Sequence, residues 1–117
     1  MPSRSDLEFI NDILHAIEKI LEYIGDREFE SFMNDPMLQD AVIRNIEVIG
    51  EATKNISNKF KSEHSDIQWK DIAKTRDKVS HQYFGVDYEI VWGIIKNDLL
   101  PLSRSIRDMI HTYDPSI

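Results

Sequence analysis

Six apolar residues near the start of the chain, Leu7, Ile10, Leu14, Ile17, Leu21 and Ile24, recur in alternating steps of three and four. That period lays them along one face of an α-helix, and Ile13 and Ile20 widen the face. Ser5 followed by Glu8 has the form of a capping box, and Gly25 is a natural C-terminal stop. Asp26 is expected to cap a short helix carrying Phe29 and Phe32. Asp35-Pro36 then opens a second long helix, predicted to reach Asn58, with Met37, Leu38, Ala41, Val42, Ile46, Ile49, Ala52 and Ile56 as its buried face.

The stretch from Lys59 to Asp66 is polar and aperiodic and reads as the main loop. Asp66-Ile67-Gln68-Trp69 leads into a third main helix anchored by Trp69, Ile72 and Val79, which Phe84-Gly85 breaks. Asp87 caps a fourth, carrying Tyr88, Val91, Trp92, Ile95, Leu99, Leu102, Ile106, Met109 and Ile110. Pro101 deletes a helical hydrogen bond, so a kink is expected near Asn97-Asp98, and residues beyond His111 are expected to fray. No stretch alternates with the period of a strand. The predicted architecture is all-α: a single domain over 1–117, an antiparallel bundle of four main helices plus one short helix, with the last helix kinked.

The chain has no cysteine, so thiolate metal sites and disulfides are excluded. Asp12-x-x-His15 offers half a metal site, but a di-metal bundle needs Glu-x-x-His twice, and the sequence contains none. No metal and no cofactor are expected. No apolar run reaches the ~20 residues of a membrane span, and a cytoplasmic setting is expected. The net charge of −7 speaks against a general nucleic-acid coat. Its distribution is uneven: seven basic and four acidic residues between Lys54 and Lys78 make that window +3 and the remainder −10.

The basic window ends in Arg76-Asp77-Lys78-Val79-Ser80-His81-Gln82-Tyr83, whose residue types suit chemistry more than packing. On a continuous helix Arg76 and Tyr83 would share a face, and Asp77 would lie one turn below His81. Arg76 and His81 would stand about 140° apart. One helix then closes the pair on a single atom only if the arginine reaches round or the helix ends near His81. Two copies facing each other would also do it, so the spacing points to a composite homodimeric site. Gly50 lies inside the second helix at a cost of up to about 1 kcal/mol, which close approach by another helix or a ligand would explain. Glu51 beside it either faces that place or is simply an exposed helix residue.

Arg-x4-His with Tyr two further on resembles the signature of HEPN-domain nucleases, specifically the HepT-like toxins. Ile49-Gly50-Glu51-Ala52, Ile67-Gln68-Trp69, Phe84-Gly85-Val86-Asp87, Val91-Trp92 and Leu100-Pro101-Leu102 fit the same pattern, so the resemblance covers roughly residues 5 to 113. It implies a helical bundle, an RNA substrate, and Arg76 and His81 as catalytic residues. It also implies a type VII-like toxin–antitoxin system. There the antitoxin, a minimal nucleotidyltransferase, transfers AMP from ATP to the motif tyrosine, here Tyr83. The alternative for Tyr83 is an aromatic ring packing on Trp69 or Phe84. Asp77 stands where the family usually has a polar residue, often asparagine.

The chemistry is consistent with those residue types. Metal-free RNA cleavage needs a base for the ribose 2′-OH and a fixed cation for the charge that builds on phosphorus oxygens. Histidine titrates near neutrality, and the guanidinium fork matches phosphate and never deprotonates. DNA has no 2′-OH, so this route reads RNA and not DNA. An acid at Asp77 would orient His81 but also repel phosphate. Two other readings are a catalytically inert HEPN module that docks and regulates a nucleotidyltransferase, and a purely structural helical dimer. The RNA target and the number of AMP units on Tyr83 are not legible in the sequence.

Overall fold

The computed structural model describes residues 4–81 and 85–114, with Arg4 and His81 as backbone only. The helices are α1 (Arg4–Ile24), α2 (Phe29–Met33), α3 (Pro36–Asn55), α4 (Asn58–Glu63), α5 (Trp69–Ala73), α6 (Thr75–Val79), α7 (Tyr88–Asn97) and α8 (Leu99–Tyr113). Two-residue strands β1 (Ser80–His81) and β2 (Gly85–Val86) pair antiparallel, Ser80 opposite Val86 and His81 opposite Gly85. The expected all-α bundle is the observed architecture. No described helix is long and apolar enough to cross a membrane.

The core is built where the periodicity placed it. Ile10, Ile13, Ile17 and Ile20 of α1 are fully buried, and α1 packs chiefly on α3 and α8. Burying one such side chain stabilises by about 1.5–3 kcal/mol, so this face holds the long helices together. Gly25 ends α1 at φ +52, in the left-handed region where a side chain would be strained. Asp35 caps α3, accepting from the Leu38 N–H at 3.1 Å with Pro36 in the first turn. Asp87 caps α7, accepting from Glu89 and Ile90 at 3.1 and 3.2 Å. The kink near Pro101 appears as a break at Asp98, which separates α7 from α8.

Several expectations need correction. Ser5 lies inside α1 instead of capping it, and the short helix α2 is preceded by Glu28, not Asp26. Met37, in the first turn of α3, is 84% exposed and lies off the face that buries Leu38 and Val42. The second long helix stops at Asn55, where Ile56 turns extended and buries its side chain. The expected loop is largely helix α4. Ser57 caps it, accepting from the Phe60 N–H at 3.2 Å, and Phe60 is buried. Ser57 is in turn held by Asp6, a buried carboxylate accepting from its N–H and its hydroxyl, both at 2.8 Å. Thr112 and Tyr113, expected to fray, belong to α8, and the Tyr113 hydroxyl hydrogen-bonds His64 Nε2; residues 115–117 lie outside the described residues.

The largest departure is the third main helix. It is two single turns, α5 and α6, interrupted at Lys74, and α6 ends at Val79. Trp69 and Val79 are buried as expected and Ile72 is half-buried. Ser80 is extended at φ −100, ψ 135, and the Val79 carbonyl accepts from the Asp87 N–H at 2.7 Å. The reversal into β2 thus takes the hydrogen bond that a longer helix would have used. Gly85, at φ +76, supplies the conformation that lets the chain return.

Candidate active site

Arg76 sits in the middle of α6, exposed, between Asp77 and Lys78 on one side and half-buried Thr75 on the other. α6 is a partition between two clefts. On one flank Arg76 lines a cleft of about 360 Å³ together with Glu51 of α3. On the other, Thr75 and Lys78 line one of about 460 Å³ with an apolar floor that includes Ile46, Ile49 and Leu99. Two neighbouring cations of the motif therefore face different spaces.

Gly50 explains how α5 and α6 come so close to α3. A methyl group built on it would meet the carbonyl oxygen of Ala73 at 3.5 Å and that of Ile72 at 3.9 Å. The expected close approach by another helix is therefore found, and it seats the segment that carries Arg76. Glu51 is exposed and lines the cleft with Arg76.

The helical relation assumed for the motif is not present. Since α6 ends at Val79, Asp77 is not set one turn below His81, and the 140° separation of Arg76 and His81 does not apply. The case considered, a helix ending near His81, is the one found. His81 follows on β1, its backbone opposite Gly85. The requirement for a second protomer drawn from the helical wheel falls with it. Tyr83 lies outside the described residues, as does any packing of its ring on Phe84. Any packing of that ring on Trp69 lies outside them too; Trp69 itself donates from Nε1 to the His64 carbonyl at 3.0 Å and meets the ring of Phe60.

The cleft holds further charged residues: Asp12 of α1, weighed in the sequence only as half a metal site, Lys54 of α3, named there only as the start of the basic window, and Arg44 and Glu47 of α3, which the sequence did not single out. Arg44, Glu47, Glu51 and Lys54 follow one another in steps of three and four, the signal that could have found them. In sequence this resembles any solvated helix face. His15, beside Asp12's turn, is exposed on α1.

An all-α bundle whose Arg-x4-His segment starts on a single helical turn and ends on the short strand after it is a HEPN-type domain. More narrowly, the model of the family described as Ribonuclease HepT-like matches residues 13–109, and the chain belongs to that family. It is 47% identical over 96 residues to a protein of Thermococcus cleftensis named probable ribonuclease HepT, covering 82% of this chain and 87% of that one. It is 39% identical over 113 residues to a Methanocaldococcus jannaschii protein that is an RNase by name only, with 93% of each chain covered. A Caldanaerobacter subterraneus protein, likewise an RNase by name only, is 38% identical over 102 residues, 87% and 91% of the two chains. No solved structure matches this chain.

Proposed function

We propose that this chain is a metal-independent endoribonuclease in which His81 and Arg76 act on one phosphodiester. His81 removes the 2′-OH proton, the 2′ oxygen attacks phosphorus, and the bond to the 5′ oxygen breaks. That oxygen takes a proton as it leaves, so the ends are a 2′,3′-cyclic phosphate and a 5′-hydroxyl. Arg76 meets the charge on the non-bridging oxygens with its two-pronged donor set. The observation that carries this reading is the position of Arg76: an exposed guanidinium on the wall of an open cleft, with α6 ending two residues before His81.

The reading extends to a toxin in the cytoplasm, acting as a homodimer and silenced by a minimal nucleotidyltransferase antitoxin that adenylylates Tyr83. A second protomer would add a second guanidinium where one short helix offers only one. AMP on Tyr83, two residues from His81, would bring bulk and negative charge to a site for phosphate. The test is cleavage of RNA in EDTA by the purified protein beside Arg76→Ala and His81→Ala. Each substitution is expected to lower the rate about 10²- to 10³-fold. Equal cleavage by all three would remove the assignment.

A second reading, an inert module that docks the nucleotidyltransferase, is favoured by Asp77, an exposed carboxylate adjacent to Arg76. It predicts a normal complex with no RNA cleavage and no toxicity.

A further inference from the structure

The cleft beside Arg76 is lined by three cations, Arg44, Lys54 and Arg76, and three carboxylates, Asp12, Glu47 and Glu51. Among the described residues none of the six side chains makes an ion pair or a hydrogen bond. Charged groups of both signs thus face one open space of about 360 Å³ without neutralising one another. That volume lies in the range of small-ligand sites, at its lower end.

A phosphate alone would satisfy the cations but be repelled by the carboxylates. The occupant that suits both carries an anion at one end and N–H donors at the other, as a nucleotide does. An ionised carboxylate only accepts hydrogen bonds, with two oxygens side by side. Guanine presents N1–H and the N2 amino group as adjacent donors and meets that pair directly. Adenine and cytosine present one amino group next to an acceptor nitrogen, and uracil presents one N–H between two carbonyls. Each of these sets a lone pair against the carboxylate. Glu51 is the carboxylate next to Gly50, where the segment carrying Arg76 touches α3. Phe9 of α1, half-buried on the cleft wall, offers a ring on which a base can stack.

We propose that this cleft is a guanine subsite, in which Glu51 accepts from the base edge while Arg76 holds the adjoining phosphate. It rests on the reading of RNA as substrate and makes Glu51 a specificity residue for it. The single-stranded state follows, because only an unpaired guanine exposes this edge.

The test has two arms on the full chain. In the first, guanosine, adenosine, cytidine and uridine monophosphates are titrated into wild type and Glu51→Gln, with thermal melts confirming that the variant folds. Wild type is expected to bind guanosine monophosphate roughly ten-fold more tightly than the others, and Glu51→Gln to lose that margin. No guanine preference in wild type, or an unchanged one in Glu51→Gln, overturns the proposal. In the second arm, cut positions are mapped on an RNA containing all sixteen dinucleotide steps. Cleavage next to guanine that Glu51→Gln spreads over other bases supports it, and base-indifferent cleavage by wild type overturns it. Guanine-selective binding without any cleavage would keep the subsite and sink the ribonuclease reading instead.

Discussion

Gly50 and Ala73 set the distance between α3 and the segment that bears Arg76, since a Cβ on Gly50 would stand 3.5 Å from the Ala73 carbonyl oxygen. That is ordinary contact, so a methyl group fits. Gly50→Ala is expected to keep the fold and gain up to about 1 kcal/mol of helix propensity. Gly50→Leu should cost about 1–3 kcal/mol and push α5 away, moving Arg76 with it. Urea unfolding together with RNA cleavage checks both. Gly93 is a control within α7: its added methyl meets nothing within 4 Å, so Gly93→Ala should stabilise by about 0.5–1 kcal/mol without touching the site.

Asp6 and Ser57 bind the start of α1 to the corner between α3 and α4 through two hydrogen bonds of 2.8 Å. The carboxylate is buried, so its loss removes a tie between segments 51 residues apart. Asp6→Ala is expected to destabilise by about 1–3 kcal/mol in equilibrium urea unfolding. Ser57→Ala keeps the N–H bond to Asp6 but loses both the hydroxyl's bond to it and the cap on the Phe60 N–H, so it should cost a similar amount. Equal stability of all three proteins would show that the corner is held by Phe60 alone.

The caps at Asp35 and Asp87 and the stop at Gly25 were legible because each depends on its own residue and the next few. The short helices were not. α4 holds a single buried anchor, Phe60, too little for a period to show, and its cap Ser57 was absorbed into the preceding helix. The motif was legible as residue types but not as geometry. What ends α6 is a hydrogen bond from Asp87, eight residues beyond Val79, which no helical wheel contains. The cleft was legible least of all, because its walls are drawn from positions as far apart as Phe9 and Arg76.

Tyr113, the last residue of α8, sets its hydroxyl on His64 Nε2 and its ring against Phe60. Burial, and then the charge of Glu63, push its pKa above the ordinary 10.0. The folded protein therefore holds this proton more tightly than the unfolded chain does. The stability it contributes is complete below pH 10 and is lost as the pH rises through the raised folded value. Urea midpoints measured from pH 8 to 11 should fall at the alkaline end in wild type, and less steeply in Tyr113→Phe. A parallel decline in both would place the titrating group elsewhere.

Asp77 is the residue whose expected effect the structure changes most. On a continuous helix it would steady His81, and its removal would slow catalysis. With α6 ended at Val79 that support is not set by helical spacing, and what remains is an exposed carboxylate adjacent to Arg76. Its action on RNA is then repulsion of phosphate, modest because both groups are open to solvent and salt. Asp77→Asn should therefore tighten RNA binding about two- to five-fold at low ionic strength, with the gain shrinking as salt is added. It should leave the pH profile of cleavage in place. A slower Asp77→Asn enzyme, with its profile shifted toward acid, would mean that the carboxylate reaches His81 by a route other than the helix and that it sustains the base.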